Sequence, residues 1–264
     1  MDAWIAPRLT GGFGNRMFQI MATLKEAENT KRQPAFLLPR TSRCEHGAFD
    51  LPFRLFPKFI TVETSSSWVE VHEDDCIPPT ASHPDATYGI VLKGLYQREA
   101  KFPSLSNPFL PVLPSCSKSN NSVAIHFRFG DYLYLPHHQV PLEAYYQQAL
   151  YQFPSATSFT LFSDQPELLV PFAGILQAKG KAVTISQTTD AYQTLLEIAG
   201  CQGGFIGCNS TFGFWASWLT WNSRGRPADY KAVFPETWMQ AGQLNHTPSF
   251  LNNSFCSFII VLRL

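Results

Sequence analysis

From residue 4 to residue 221 the chain alternates short apolar runs with stretches in which apolar residues recur at helical spacing. Residues 4–9 read as a strand, the glycine-rich 11–15 as a loop, and residues 17–27 as a helix. Residues 88–92 give another strand. Between these lies a region in which Pro34, Pro39, Pro52, Pro57, Pro78, Pro79 and Pro84 interrupt every long element, so irregular structure is expected there. Further on, residues 123–127, 158–162, 182–185 and 205–207 read as strands. Residues 141–153, 168–178, 191–199 and 211–221 read as the helices between them. Such alternation predicts an α/β protein with mainly parallel strands. Pro103, Pro108, Pro111, Pro114 and a Ser/Asn/Lys cluster running to Asn121 predict a boundary between two lobes, 1–115 and 120–240. Residues 241–264 stay unassigned. Two such lobes facing one another across a cleft would hold ligands at the carboxyl ends of their strands.

Composition narrows the ligand. Lysines and arginines number 20 and so do aspartates and glutamates, so no global field attracts nucleic acid and an anionic ligand must be held locally. Cys44, Cys76, Cys116, Cys201, Cys208 and Cys256 form no C-x-x-C pair and read as free thiols. His137 and His138 are neighbours whose side chains diverge on any regular element, a poor metal clamp. No metal site is expected. The N-terminus lacks a basic stretch followed by an apolar run, and the longest apolar run, 258–262, is far shorter than the roughly 18 residues of a membrane span, so a soluble chain is expected. Sequons begin at Asn120, Asn209, Asn245 and Asn252 and matter only on a secretory route.

Four segments could carry chemistry. An apolar strand at 123–127 delivers His126 and Arg128, two residues apart, to the turn Phe129-Gly130-Asp131-Tyr132. A guanidinium there can fork onto two phosphate oxygens, or it can simply pair with Asp131. In Cys208-Asn209-Ser210-Thr211-Phe212, Asn209 or Ser210 can cap a helix whose first N–H groups suit phosphate. The same segment also suits a well-capped core helix bearing an aromatic stripe of Phe214, Trp215 and Trp218. Gly11-Gly12-Phe13-Gly14-Asn15 lacks full dinucleotide spacing and serves equally as a tight turn. Asp164 ends a strand, where it can accept hydrogen bonds from a base or ribose, or cap the helix from Pro166 onward.

In combination and order these segments resemble the α-1,2-fucosyltransferase family. Residues 9–19 resemble its opening G-G-x-G-N-x-M-F-Q, and 126–132 its H-x-R-x-G-D-Y. Residues 161–164 resemble its F-S-D element, and 209–219 its N-S-[ST]-F-x-x-W-A-x-W-L. A weaker likeness joins 92–97 to its G-Y-F-Q segment. The resemblance implies a GT-B type fold of two Rossmann-like lobes and an inverting, metal-independent transfer of fucose from GDP-fucose, typically to the 2-hydroxyl of a galactose-ended glycan. No cofactor is implied. It places Arg128 on the donor pyrophosphate with His126 beside it, and Asp164, Ser210, Thr211 and Phe212 elsewhere on the donor. Gly12, Gly14 and Asn15 match the loop facing the cleft. His126, Asp131 and an acidic residue of the first lobe are the candidates for the general base. Phe129 stands where many members carry a second arginine, and Gln165 where an aspartate is usual. A glycosyltransferase-like binding protein without transfer, and a transferase for another nucleotide sugar, are the competing readings. Animal relatives are anchored in the Golgi membrane and bacterial ones are soluble.

Overall fold

The computed structural model describes residues 3–38, 50–63, 68–75, 77, 88–114, 120–239, 248–251 and 254–263. The chain divides into two compact units, Met1–Pro111 and Val112–Leu264. Each is built on a parallel sheet, the α/β class that the alternation predicts.

In the first unit β1 (Trp4–Pro7), α1 (Phe13–Thr30) and β2 (Gln33–Leu38) form a strand-helix-strand unit. The short helix α2 (Leu51–Leu55), β3 (Ile60–Glu63), β4 (Val69–His72) and β5 (Ile90–Lys93) follow. The sheet runs β3-β2-β1-β5-β4, all parallel. Three of these strands lie where the prolines predict irregularity. Pro34 stands near the start of β2, before the pairing with β3 begins at Ala35. Helix α1 starts earlier than its apolar spacing suggests, so Gly14 and Asn15 belong to its first turn rather than to a loop. Buried Ile5, Ala22, Ala27, Val71, Ile90, Leu92 and Tyr96 pack α1 against the sheet.

The second unit comprises β6 (Val123–Phe127), α3 (Glu143–Leu150), β7 (Ser158–Ser163), α4 (Val170–Ala178), β8 (Ala182–Ile185), α5 (Ala191–Gly200), β9 (Gly204–Ile206), α6 (Thr211–Ser223), β10 (Ala232–Pro235) and β11 (Ile259–Leu262). Its six strands are parallel in the order β11-β10-β9-β6-β7-β8. Counted from β6, that is 6-5-4-1-2-3, the Rossmann order, whose direction reverses between β6 and β9. Central β6 is buried at all five positions, as a parallel strand covered on both faces requires. Helix α6 is buried from Gly213 to Asn222 and is apolar around its circumference, so it packs inside the unit rather than on its surface. The unassigned tail contributes β11, which pairs with β10 along its whole length.

Among the described residues no helix is long and apolar enough to cross a membrane. Cys201, Cys208 and Cys256 are buried. Cys44, Cys76 and Cys116, and the sequon at Asn245, lie outside the described residues, as does Asn252.

Candidate functional site

A doubly wound sheet opens a crevice at the carboxyl ends of the strands where its winding reverses, here β6 and β9. The chain leaves β6 at Phe127 and enters the turn that carries Arg128. This guanidinium is held between two carboxylates. Nε and Nη2 donate to a single oxygen of Asp131, at 3.1 and 2.6 Å, and Nη1 meets Asp164 Oδ2 at 2.7 Å. Pairing with Asp131, legible from their spacing, is therefore present, and Asp164 adds a second partner from the end of β7.

The two carboxylates are fixed differently. Asp164 Oδ1 accepts from the Phe129 amide at 3.0 Å and from the Ser163 hydroxyl at 3.2 Å. It pins the turn and does not cap the next helix; Ser163 Oγ accepts the Gln165 amide instead. Gly130 closes the arrangement at φ 29°, and a Cβ there would come within 2.3 Å of Asp164 Oδ2, so only glycine fits beside the carboxylate. Asp131, on the other edge of the guanidinium, has a side chain that is 37% exposed.

His126 lies one turn of chain earlier and takes a different position. β6 is the last regular element before the turn, and its central place buries the imidazole to 5% exposure. The ring packs 5.4 Å from Phe212, and Nδ1 lies 3.5 Å from Cys208 Sγ. Burial lowers the imidazole pKa to about 4, against a rise from Asp164, and Arg128 lowers it further. The Cys208 thiol is pushed up to about 12 by the same burial. Both groups are neutral at pH 7. His126 lies within β6 and Arg128 beyond its end, so the chain leaves the sheet between the two residues that the strand was expected to deliver together.

Helix α6 begins directly above this pair. A Cβ on Gly213 would touch His126 Nδ1 at 3.0 Å, which shows how closely the helix start approaches β6. Ser210 is the N-cap residue, is buried, and makes no side-chain cap bond. Asn209 does not cap either. Its amide donates to the carbonyls of His138 at 3.1 Å and Trp238 at 2.9 Å, so it pins two loops. Being buried and bonded twice, Asn209 is unsuited to be a glycan acceptor in the folded chain. Thr211 and Phe212, half-buried, supply the first helical N–H groups. Tyr132 joins the two halves of the site: its ring lies 5.8 Å from the Arg128 guanidinium and its hydroxyl donates to the Asn209 carbonyl at 3.0 Å.

Two tyrosines that sequence reading did not single out fix the strand ends from α3. Tyr145 donates its hydroxyl to the carbonyls of Gly207 and Val233, at 2.6 and 2.8 Å, and Tyr146 to that of His126 at 3.2 Å. Burial raises both phenol pKa values well above 10. Their adjacency in a helix gave no signal, because their partners lie 62, 88 and 20 residues away.

In the first unit the motif Gly11–Gln19 is a braced helix start. Gly11 has φ 71°, Arg16 Nε donates to the Gly11 carbonyl at 2.9 Å, and Gln19 accepts from the Thr10 amide at 3.0 Å. Gly12 precedes α1 in extended conformation. Gln97 donates to Asn15 Oδ1 at 2.8 Å, which brings the weak fifth segment onto the first. Among the described residues no cluster of three or more histidine, cysteine or acidic side chains is arranged to hold a metal ion.

Comparison with known proteins bears on the second unit. Residues 112–233 match the family model described as glycosyl transferase family 11. That stretch carries Arg128, Asp131, Asp164 and the start of α6. No curated protein matches the chain. A solved structure similar to it is that of NodZ alpha-1,6-fucosyltransferase co-crystallized with GDP, at 14% identity, covering 83% of this chain and 93% of that one with a TM-score of 0.42.

Proposed function

We propose that the chain transfers L-fucose from GDP-fucose to the 2-hydroxyl of a galactose-ended glycan, with inversion and without a metal ion. What carries the reading is the placement of Arg128 at the switch point of a Rossmann-ordered sheet, joined through Tyr132 to the start of α6. The family match over residues 112–233 supports glycosyl transfer, and the motif resemblance supports fucose and its linkage.

In the reaction the acceptor oxygen forms a bond to the fucose anomeric carbon while the bond from that carbon to the β-phosphate oxygen breaks. The electron pair goes to the phosphate. Arg128 and the first N–H groups of α6 are fixed donors for that developing charge, and losing one such donor typically costs about 10²-fold in turnover. Asp164 holds the turn that presents Arg128, and Gly130 lets it come close. Ser210, Thr211 and Phe212 form the helix start. Gly12, Gly14 and Asn15 belong to the braced start of α1 in the first unit.

The proton of the acceptor hydroxyl goes to a base on the face opposite the leaving phosphate. Asp131 shares its guanidinium with that phosphate, which puts it on the leaving-group side. His126 is buried away from substrate, so its role is to position the helix start. His126 is therefore a positioning residue for α6, and Asp131 a partner of Arg128 that the phosphate displaces.

Incubating the chain with radiolabelled GDP-fucose and galactose-ended acceptors, then locating the linkage by methylation analysis, tests the reading. Label on the galactose O2 is the expected result. GDP binding with no transfer would favour the inactive relative, and preferential use of GDP-mannose would replace fucose as the donor sugar.

A further inference from the structure

We propose that the groove lined by Val140, Pro141, Glu143, Ala144, Gln147 and Thr237 is a saccharide subsite for the part of the acceptor glycan beyond the sugar that is modified. This rests on the reading above that the acceptor is a glycan. The groove is open to solvent along exposed Pro141, Glu143, Ala144 and Gln147 and has a volume of about 540 Å³.

Its position follows from the topology. Glu143 opens α3, whose start follows β6, and Thr237 lies two residues past the end of β10. Both therefore stand at the carboxyl edge of the sheet, the edge that carries Arg128. A single buried side chain holds the two walls together. Asn209 Nδ2 donates to His138 O, which also accepts the Val140 amide at 2.8 Å, and to Trp238 O, next to Thr237. Asn209 immediately precedes the N-cap of α6, so the groove and the donor site share one pin. That gives the motif asparagine a function that capping does not.

The lining selects a neutral sugar. Glu143 and Gln147 are four residues apart and share a face of α3, offering a carboxylate and a carboxamide one turn from each other. Planar groups of this kind bridge the paired hydroxyls of a pyranose, and the Thr237 hydroxyl adds a third polar contact. Val140, Pro141 and Ala144 are small apolar surfaces for the C–H faces of the ring. Among the described residues no lysine or arginine lines the groove to attract an anion, and no aromatic ring lines it to stack a base.

The test compares a galactose-ended disaccharide with a tetrasaccharide of the same terminus, by initial rates and by saturation-transfer NMR on the full chain. For Glu143→Ala and Gln147→Ala the tetrasaccharide KM should rise about fivefold each, the worth of one hydrogen bond. The advantage of the longer acceptor should vanish in the double variant, along with its saturation transfer. Gln177→Ala, at an exposed position of α4 outside the groove, should match the wild type. Equal KM values for the two acceptors in the wild type would overturn the proposal, as would an unchanged NMR signal in the double variant. GDP binding by the wild-type chain, measured without acceptor, is a separate readout: its failure would count against the donor assignment and leave the groove result standing.

Discussion

Arg128 gains its place from two carboxylates that contribute in different ways. Asp164 is bound by the Phe129 amide and the Ser163 hydroxyl and cannot leave without unpinning the turn, whereas Asp131 rests on the guanidinium edge that a phosphate would fork. The account predicts opposite outcomes for the two. Asp131→Asn should bind GDP up to about fivefold more tightly, because a partly exposed ion pair is worth only about 1 kcal/mol and one competing charge is gone. Asp164→Ala should bind GDP more weakly and lower the unfolding free energy by about 1–3 kcal/mol, since it strands the Phe129 amide. Calorimetric titration and urea unfolding check these; looser GDP binding in Asp131→Asn would show that Asp131 holds the donor. The pairing with Asp131 was readable from a spacing of three. Asp164 was readable as a strand-end acid, but its partner was not, because 36 residues and a neighbouring strand separate them.

Between elements, the contact that matters is the start of α6 on β6, where neutral His126 and Cys208 lie beneath Phe212 and Gly213. The folded-state pKa of His126, about 4, lies below the ordinary value of 6.5. The unfolded chain therefore binds this proton first as pH falls. The stability that neutral His126 contributes is whole above about pH 6.5, declines between about 6.5 and 4, and reaches a loss of about 3 kcal/mol. Urea unfolding at pH 7, 5.5 and 4 should show this decline, and His126→Gln should lack that part of it; identical acid limbs in both proteins would refute the burial argument. The aromatic helix and the apolar strand were legible from periodicity. That the asparagine before α6 bonds two loops rather than the helix was not, because nothing local distinguishes a capping side chain from one pointing at distant carbonyls.

At the scale of the whole molecule the sequence pattern carried the alternation and hence the parallel α/β class. Strand order was beyond it, since pairing such as β9 beside β6 depends on which apolar faces meet, not on neighbours in sequence. Strands β2, β3 and β4 were obscured by prolines in and around them, and β11 by being a short apolar run in a stretch that matches no segment of the resembled family. The central claim is that the second unit grips a nucleotide diphosphate through Arg128 and without an ion. Isothermal titration of GDP into the full chain, with and without EDTA, tests it for wild type and Arg128→Ala. The account predicts chelator-insensitive binding that weakens by at least about tenfold in the variant. Binding abolished by EDTA, or equal in the two proteins, would contradict it.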